Sequence, residues 1–193
     1  QKAISLIKKN YPDLLVIADC CLCEYTDHGH CGILKNGKLD NDATLKRLQD
    51  IAVSYAKAGV DIVAPSGMMD GMVSAIRDGL DAAGFQMVSI MSYATKYASS
   101  LYGPFRDAAG SDDFSGDRKH HQLNPAQRDE ALREAEIDED EGADFLMIKP
   151  AMFYLDICRE MKENTRLPIV AYQVSGEYAM LKHGAEQGLF DEN

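Results

Sequence analysis

The 193-residue sequence has no tryptophan, and its 20 lysines and arginines are outnumbered by 31 aspartates and glutamates. The formal net charge of -11 argues against a nucleic-acid partner, whose phosphates would be repelled. It argues equally against a basic helix lying on a membrane surface. No apolar run approaches the roughly 18 residues that a membrane span needs. The first ten residues carry lysines but neither an apolar core nor a cleavage site, so no signal peptide is expected, and Gln1 stands where an initiator Met would be. A cytoplasmic location is the expectation. What is present is an ordinary globular mixture, 46% apolar and 26% charged, in a length typical of one domain.

Short β-branched runs alternate with helical patterns. Leu14–Ala18, Val60–Ala64, Met87–Met91, Phe145–Ile148 and Pro168–Val174 read as buried strands. Between them, Asp42–Ala58 places Leu45, Leu48, Ile51, Ala52 and Tyr55 on one face, with Gly59 as a stop. Val73, Ile76, Leu80 and Ala83 mark a second helix closed by Gly84. Asn124-Pro125 is expected to open a third, as N-cap and first residue, running to Gly142. Leu155, Ile157, Cys158 and Met161 mark a fourth, and a last helix follows the fifth strand. Gly103 to Leu123 is a long polar connection, of the kind that forms lids or stays disordered. The alternation implies parallel βαβ units. Either a doubly wound sheet or a (β/α)8 barrel would fit, but no Gly-rich phosphate loop follows the first strand. Polar residues suited to chemistry also end every strand: Asp19 and Cys21, Ser66, Lys96, Lys149 and Ser175. Barrels collect their sites on that face, so the expected fold is α/β, a (β/α)8 TIM barrel of which the chain covers about five consecutive βα units. It is expected to be a single domain over residues 1–193, incomplete at both ends.

Three constellations carry chemistry. Four of the five cysteines lie between Cys20 and Cys31, a cluster that suits metal better than a disulfide framework. Cys21, Cys23 and Cys31 offer three thiolates on one loop, and three ligands leave a zinc open for substrate or water. A closed structural site completed by Cys20 or a His, or thiols without metal, remain alternatives, and His28 and His30 are ambiguous. Lys96 and Lys149 end two strands. Burial and a second nearby lysine both favour the neutral amine that attacks a ketone to form a Schiff base. The bland alternative is that each snorkels to solvent or pairs with a carboxylate. Arg106, Arg118 and Lys119, with Gln122, could hold a carboxylate or be ordinary loop charges. Ser66 reads as a helix N-cap or a site residue.

Together these segments resemble porphobilinogen synthase, also called 5-aminolevulinate dehydratase. The matching stretches are the Cys-rich loop, Ala64-Pro65-Ser66 with Met69-Asp70-Gly71, Met91-Ser92-Tyr93 with Lys96, and Tyr102-Gly103-Pro104-Phe105-Arg106. Gly116-Asp117-Arg118, Met147 with Lys149-Pro150, Tyr154-Leu155-Asp156 and Val174-Ser175-Gly176-Glu177 follow in the family's order. The resemblance implies a (β/α)8 barrel, typically a homo-octamer, acting on 5-aminolevulinate. It implies Schiff bases on Lys96 and Lys149, Asp19 in proton transfer, and Zn2+ on Cys21, Cys23 and Cys31. It further implies Arg106, Arg118 and Gln122 over one substrate carboxylate, Ser175 on the other, Ser66, Tyr102 and Tyr172 lining the substrate, and Glu134 at an allosteric Mg2+. Cys20 is an extra thiol beside the ligands, and His120 and His121 stand where relatives carry a different pair. The family's N-terminal arm, first two strands and last strand are not in this chain. A class I aldolase is the enzymatic rival, needing one lysine and no thiolates; a zinc-binding structural module is the non-enzymatic one.

Overall fold

The computed structural model describes residues 1–109, 119 and 121–192. Helix α1 (Lys2–Asn10) precedes strand β1 (Ile17–Cys20). The cysteine loop then leads to a hairpin of β2 (Ile33–Lys35) and β3 (Lys38–Asp40). Next come α2 (Asn41–Ala58), β4 (Ile62–Pro65), α3 (Met72–Ala82) and β5 (Ser89–Lys96). A 3-10 turn (Ser100–Tyr102), α4 (Gly103–Ala109) and α5 (Arg128–Asp140) follow, then β6 (Phe145–Lys149), α6 (Leu155–Asn164), β7 (Ile169–Ala171) and α7 (Ser175–Glu186).

The strands β1, β4, β5, β6 and β7 form one parallel sheet in that order. Spatial order therefore equals chain order. A doubly wound sheet reverses direction at a switch point, where its helices change face; here there is no reversal. Crossovers of one hand send the helices to one side, as in a barrel. Val63, Ile90, Leu146 and Ile148 turn to that side and pack with Leu48, Ala52, Ile76, Leu80, Ala131, Ala135, Ile157 and Met161. Ile76 and Leu80 are fully buried there, each contributing about 1.5–3 kcal/mol. The alternate residues Ile62, Ala64, Met91, Tyr93 and Met147 form a second cluster with Val170 and Tyr172 on the inner face. Three of the helix-to-strand turns, those after α2, α3 and α5, fall at Gly59, Gly84 and Gly142, all with positive φ.

Several boundaries differ from the sequence reading. The first strand starts at Ile17 rather than Leu14, since Leu14 and Leu15 are exposed. The third begins at Ser89, beyond an exposed Met87, and runs to Lys96. Asn124-Pro125 does not open α5. Asn124 instead closes its own turn, accepting from the N–H groups of Ala126 and Gln127, and the helix starts at Arg128. The connection Gly103–Leu123 begins with α4; its residues 110–118 and 120 lie outside the described residues.

Candidate active site

Lys96 and Lys149 close β5 and β6 as register partners. A regular strand would not put Lys96 on the inner face. Tyr93 faces inward, so strict alternation would turn Lys96 the other way. Between Ser92 and Thr95, however, β5 advances three residues while β6 advances two, from Leu146 to Ile148. This bulge of one residue brings Lys96 to the same side as Tyr93, whose ring centroid lies 5.7 Å from the Lys96 Nζ and 5.2 Å from that of Lys149. Lys96 is buried and donates to the Ser66 carbonyl at 2.6 Å. The Lys149 Nζ sits 4.3 Å from the Tyr172 ring centroid, 5.3 Å from Tyr102 and 5.8 Å from Phe105. Burial, and then the charge of Lys96, bring its pKa down to about 8 against the pull of Asp19, Cys21 and Cys23. Such an amine is partly neutral near pH 7, as nucleophilic attack on a carbonyl requires.

Asp19 lies one position before the end of β1. The Ser66 hydroxyl donates to its Oδ1 at 2.7 Å. Ser66 is thus no helix cap, since α3 starts only after Gly71; its two oxygens tie a carboxylate to a lysine. Burial, then Cys21, hold the Asp19 carboxyl above the usual range, with Ser66, Lys96 and Lys149 opposing. A carboxyl so tuned is suited to moving a proton beside the amines.

The strand's alternation also sorts the adjacent cysteines. Cys20 faces the helices, fully buried, with its Sγ 3.8 Å from the Leu48 carbonyl. The sulfurs of Cys21, Cys23 and Cys31 all lie within 4.8 Å of one another, with Cys21 and Cys23 3.3 Å apart. Among the described residues no other His, Cys, Asp or Glu group is so clustered. The His28 Nδ1 accepts from the His30 N–H and the His30 Nδ1 from that of Gly32, which braces the loop. Thiol hydrogen bonds with Cys21 and Cys31, then burial, push the Cys23 thiol up. Three soft donors at this spacing fit a thiophilic metal with one position open.

Of the remaining expected residues, Tyr102 and Tyr172 line the Lys149 amine, and the Tyr102 hydroxyl donates to the carbonyls of Tyr97 and Lys149. Arg106 stacks over Tyr102 at 5.7 Å from its ring centroid. Ser175 accepts from the Phe105 N–H and donates to the Leu101 carbonyl, joining α7 to the start of α4. Gln122 and Glu134 line a cavity of about 540 Å³ with Leu39, Met68, Asp70 and Glu130. Glu134 pairs with Arg133 at 2.9 Å. Arg118 lies outside the described residues. Sequence reasoning did not single out Tyr93, Phe105 or Glu177. Glu177 is fully buried and accepts from the N–H groups of Met152 and Val174 at 2.8 and 2.6 Å. Its acidity three residues into a helix was the available signal.

A family model described as delta-aminolevulinic acid dehydratase matches residues 1–193. The delta-aminolevulinic acid dehydratase of Halalkalibacterium halodurans is 62% identical over 192 residues, 100% of this chain and 58% of that protein. The Escherichia coli protein of the same name is 59% identical over 187 residues, 97% of this chain and 57% of that one. The crystal structure of the Toxoplasma gondii ME49 enzyme, also called porphobilinogen synthase and bound to its reaction product porphobilinogen, superposes with a TM-score of 0.96. It is 49% identical, covering 99% of this chain and 55% of that one. The described strands and helices are thus part of that enzyme's barrel fold. The chain spans a little under three fifths of the length of these relatives.

Proposed function

Because the chain belongs to the delta-aminolevulinic acid dehydratase family, we propose that it carries the reaction centre of an enzyme condensing two 5-aminolevulinate molecules to porphobilinogen, with loss of two waters. The observation that carries this reading is the side-by-side placement of two inward lysines, Lys96 and Lys149, at the ends of neighbouring strands. A reaction joining two copies of one ketone has a use for two imine-forming amines. An aldolase-type reaction needs one and leaves the three thiols unexplained.

In this reading, Lys149 in its neutral form attacks the ketone of the substrate that supplies the propionate side, and Lys96 that of the other. Each imine, once protonated, is an electron sink that acidifies the adjacent carbon. Asp19, held by Ser66, takes and returns protons there. Tyr93, Tyr102, Tyr172 and Phe105 keep the amines among rings and away from water, which would hydrolyse the imines. Fixing both substrates on one wall supplies orientation for carbon–carbon and carbon–nitrogen bond formation. Zinc held by Cys21, Cys23 and Cys31 would supply Lewis-acid polarisation of a carbonyl or a hold on the free amine. Arg106, Arg118 and Gln122 would meet one substrate carboxylate and Ser175 the other, and Glu134 would serve an allosteric magnesium. The residues would form five consecutive units of a single barrel domain, in a cytoplasmic homo-octamer. No helix among the described residues is long and apolar enough to cross a membrane.

The test is borohydride reduction of the full-length protein with isotope-labelled 5-aminolevulinate, followed by peptide mass spectrometry. Label is expected on Lys149 and Lys96, and Lys149→Ala should abolish both turnover and the Lys149 label. Full activity in Lys149→Ala would overturn the assignment.

A further inference from the structure

The bulge that aims Lys96 has a visible fastening. β5 is buried along its length, yet two of its residues on the helix side are hydroxyl-bearing, Ser92 and Thr95, both with 0% exposure. The Ser92 hydroxyl donates to the Asp138 carboxylate in α5. The Thr95 hydroxyl donates to the Ala131 carbonyl of the same helix at 3.4 Å and lies 3.4 Å from the Met161 sulfur of α6. Residues three apart in a regular strand face opposite sides. Both hydroxyls reach one helix layer, so the strand between them must hold an extra residue. Ala94 joins Thr95 on that side, in the helix-facing core, while Tyr93 stays inside.

We infer that Ser92, Thr95 and Asp138 are positioning residues for Lys96: two hydroxyls anchored to the helix layer on either side of the bulge fix its place in β5 and so turn the Lys96 amine into the site. None of the three touches the inner face. In a register without the bulge, the Thr95 hydroxyl would face the inner cluster and Lys96 would enter the apolar layer under α5 and α6. Apolar residues at 92 and 95 would remove the hydroxyl anchors that tie β5 to the helix layer on either side of the bulge. A buried hydroxyl or carboxylate that loses its partner keeps its full desolvation penalty, which favours the register that satisfies it. The Asp138 carboxyl is raised to about 7, chiefly by burial, with Glu141 and Glu134 adding and Ser92 opposing. In either protonation state an oxygen remains to accept from Ser92, so an amide at this position can replace it.

This inference rests on the imine-forming role proposed for Lys96, and the experiment separates the two. Borohydride trapping with labelled 5-aminolevulinate is quantified at each lysine in full-length wild type, D138N, T95V and the S92A/D138L double variant. The double variant replaces both hydrogen-bonding partners together, which spares stability better than removing one. In S92A/D138L and in T95V the label on Lys96 should fall at least tenfold while that on Lys149 holds within about twofold, since misplacement by about 1 Å can cost a hundredfold. D138N should keep both labels. Equal loss at both lysines would mark a merely structural role and overturn the inference, as would an unchanged Lys96 label. If wild type labels only Lys149, the Lys96 imine is wrong. The crystal structure of S92A/D138L, or of T95V should the former not fold, then decides the positioning: a lost or shifted bulge supports it, and an unchanged one overturns it.

Discussion

Replacing Lys96 by methionine should make Lys149 a poorer nucleophile without touching it. With a pKa of about 8, about one Lys149 in ten is neutral at pH 7, against roughly one in three thousand for an unperturbed lysine. Burial is the larger cause and survives the substitution; the charge of Lys96 is the second. The two amines lie 5.7 and 5.2 Å from the Tyr93 ring centroid, so at most about 11 Å separates them, and unit charges at that distance and an effective dielectric of about 20 repel by about 1.5 kcal/mol. Removing Lys96 should therefore raise the Lys149 pKa and cut its neutral fraction at pH 7 by about tenfold or more, though not to that of a free lysine. Asp19 pulls the other way, so Asp19→Asn should lower the Lys149 pKa and enlarge the neutral fraction. The assay is reductive methylation of the full-length protein from pH 6 to 11, with the Lys149 peptide followed by mass spectrometry. In wild type the midpoint should lie near pH 8, moving up in Lys96→Met and down in Asp19→Asn. A wild-type midpoint near 10.5, or shifts of the same sign in both variants, would refute the electrostatic account.

Three further outcomes are expected. Serine at Cys21, Cys23 or Cys31 should lower bound zinc and remove activity while far-ultraviolet circular dichroism stays unchanged, whereas Cys20→Ser should keep full zinc stoichiometry, because its sulfur faces Leu48; parallel loss of structure and zinc would favour a structural metal. Gly176→Ala would put its Cβ 2.6 Å from the Leu101 carbonyl oxygen, so thermal unfolding of the full-length protein should show a destabilisation of about 1–3 kcal/mol. Glu177→Gln leaves one of two buried backbone N–H groups facing an amide N–H rather than a carboxylate oxygen, and chemical denaturation should report a cost of about 1–3 kcal/mol.

The parallel architecture was readable because buried strands and amphipathic helices leave strong periodic marks, as Val60–Ala64 and Leu45 to Tyr55 do. Both lysines could also be picked out, since each ends an apolar strand, and so could the three cysteines, since they cluster on one short loop. The full reach of β5 was not legible. Ser92, Thr95 and Lys96 break the apolar run, and only the facing helix reveals that two of them are satisfied from outside. The β2–β3 hairpin was passed over although Asn36-Gly37 is a strong turn signal, because three-residue strands show too little alternation. The role of Ser66 needed three dimensions, as its partners are 47 and 30 residues away in the chain. The double use of Ser175 likewise depends on Leu101 and Phe105, more than 65 residues earlier.

Because the strands follow one another around the sheet in chain order, the thiols, the serine, the two lysines and Tyr172 also follow one another around one rim. The opposite rim holds the helix-to-strand connections, among them the glycine turns at 59, 84 and 142. Division of labour between the two rims is a general property of such barrels, and here it has a practical meaning for anyone rebuilding the molecule. New termini, inserted peptides or fused reporters placed at those glycine turns would interrupt no strand and displace none of the reactive side chains. A graft into the cysteine loop or between β5 and α5 would meet the chemistry at once. The far rim is where the gene can be cut, lengthened or circularly permuted.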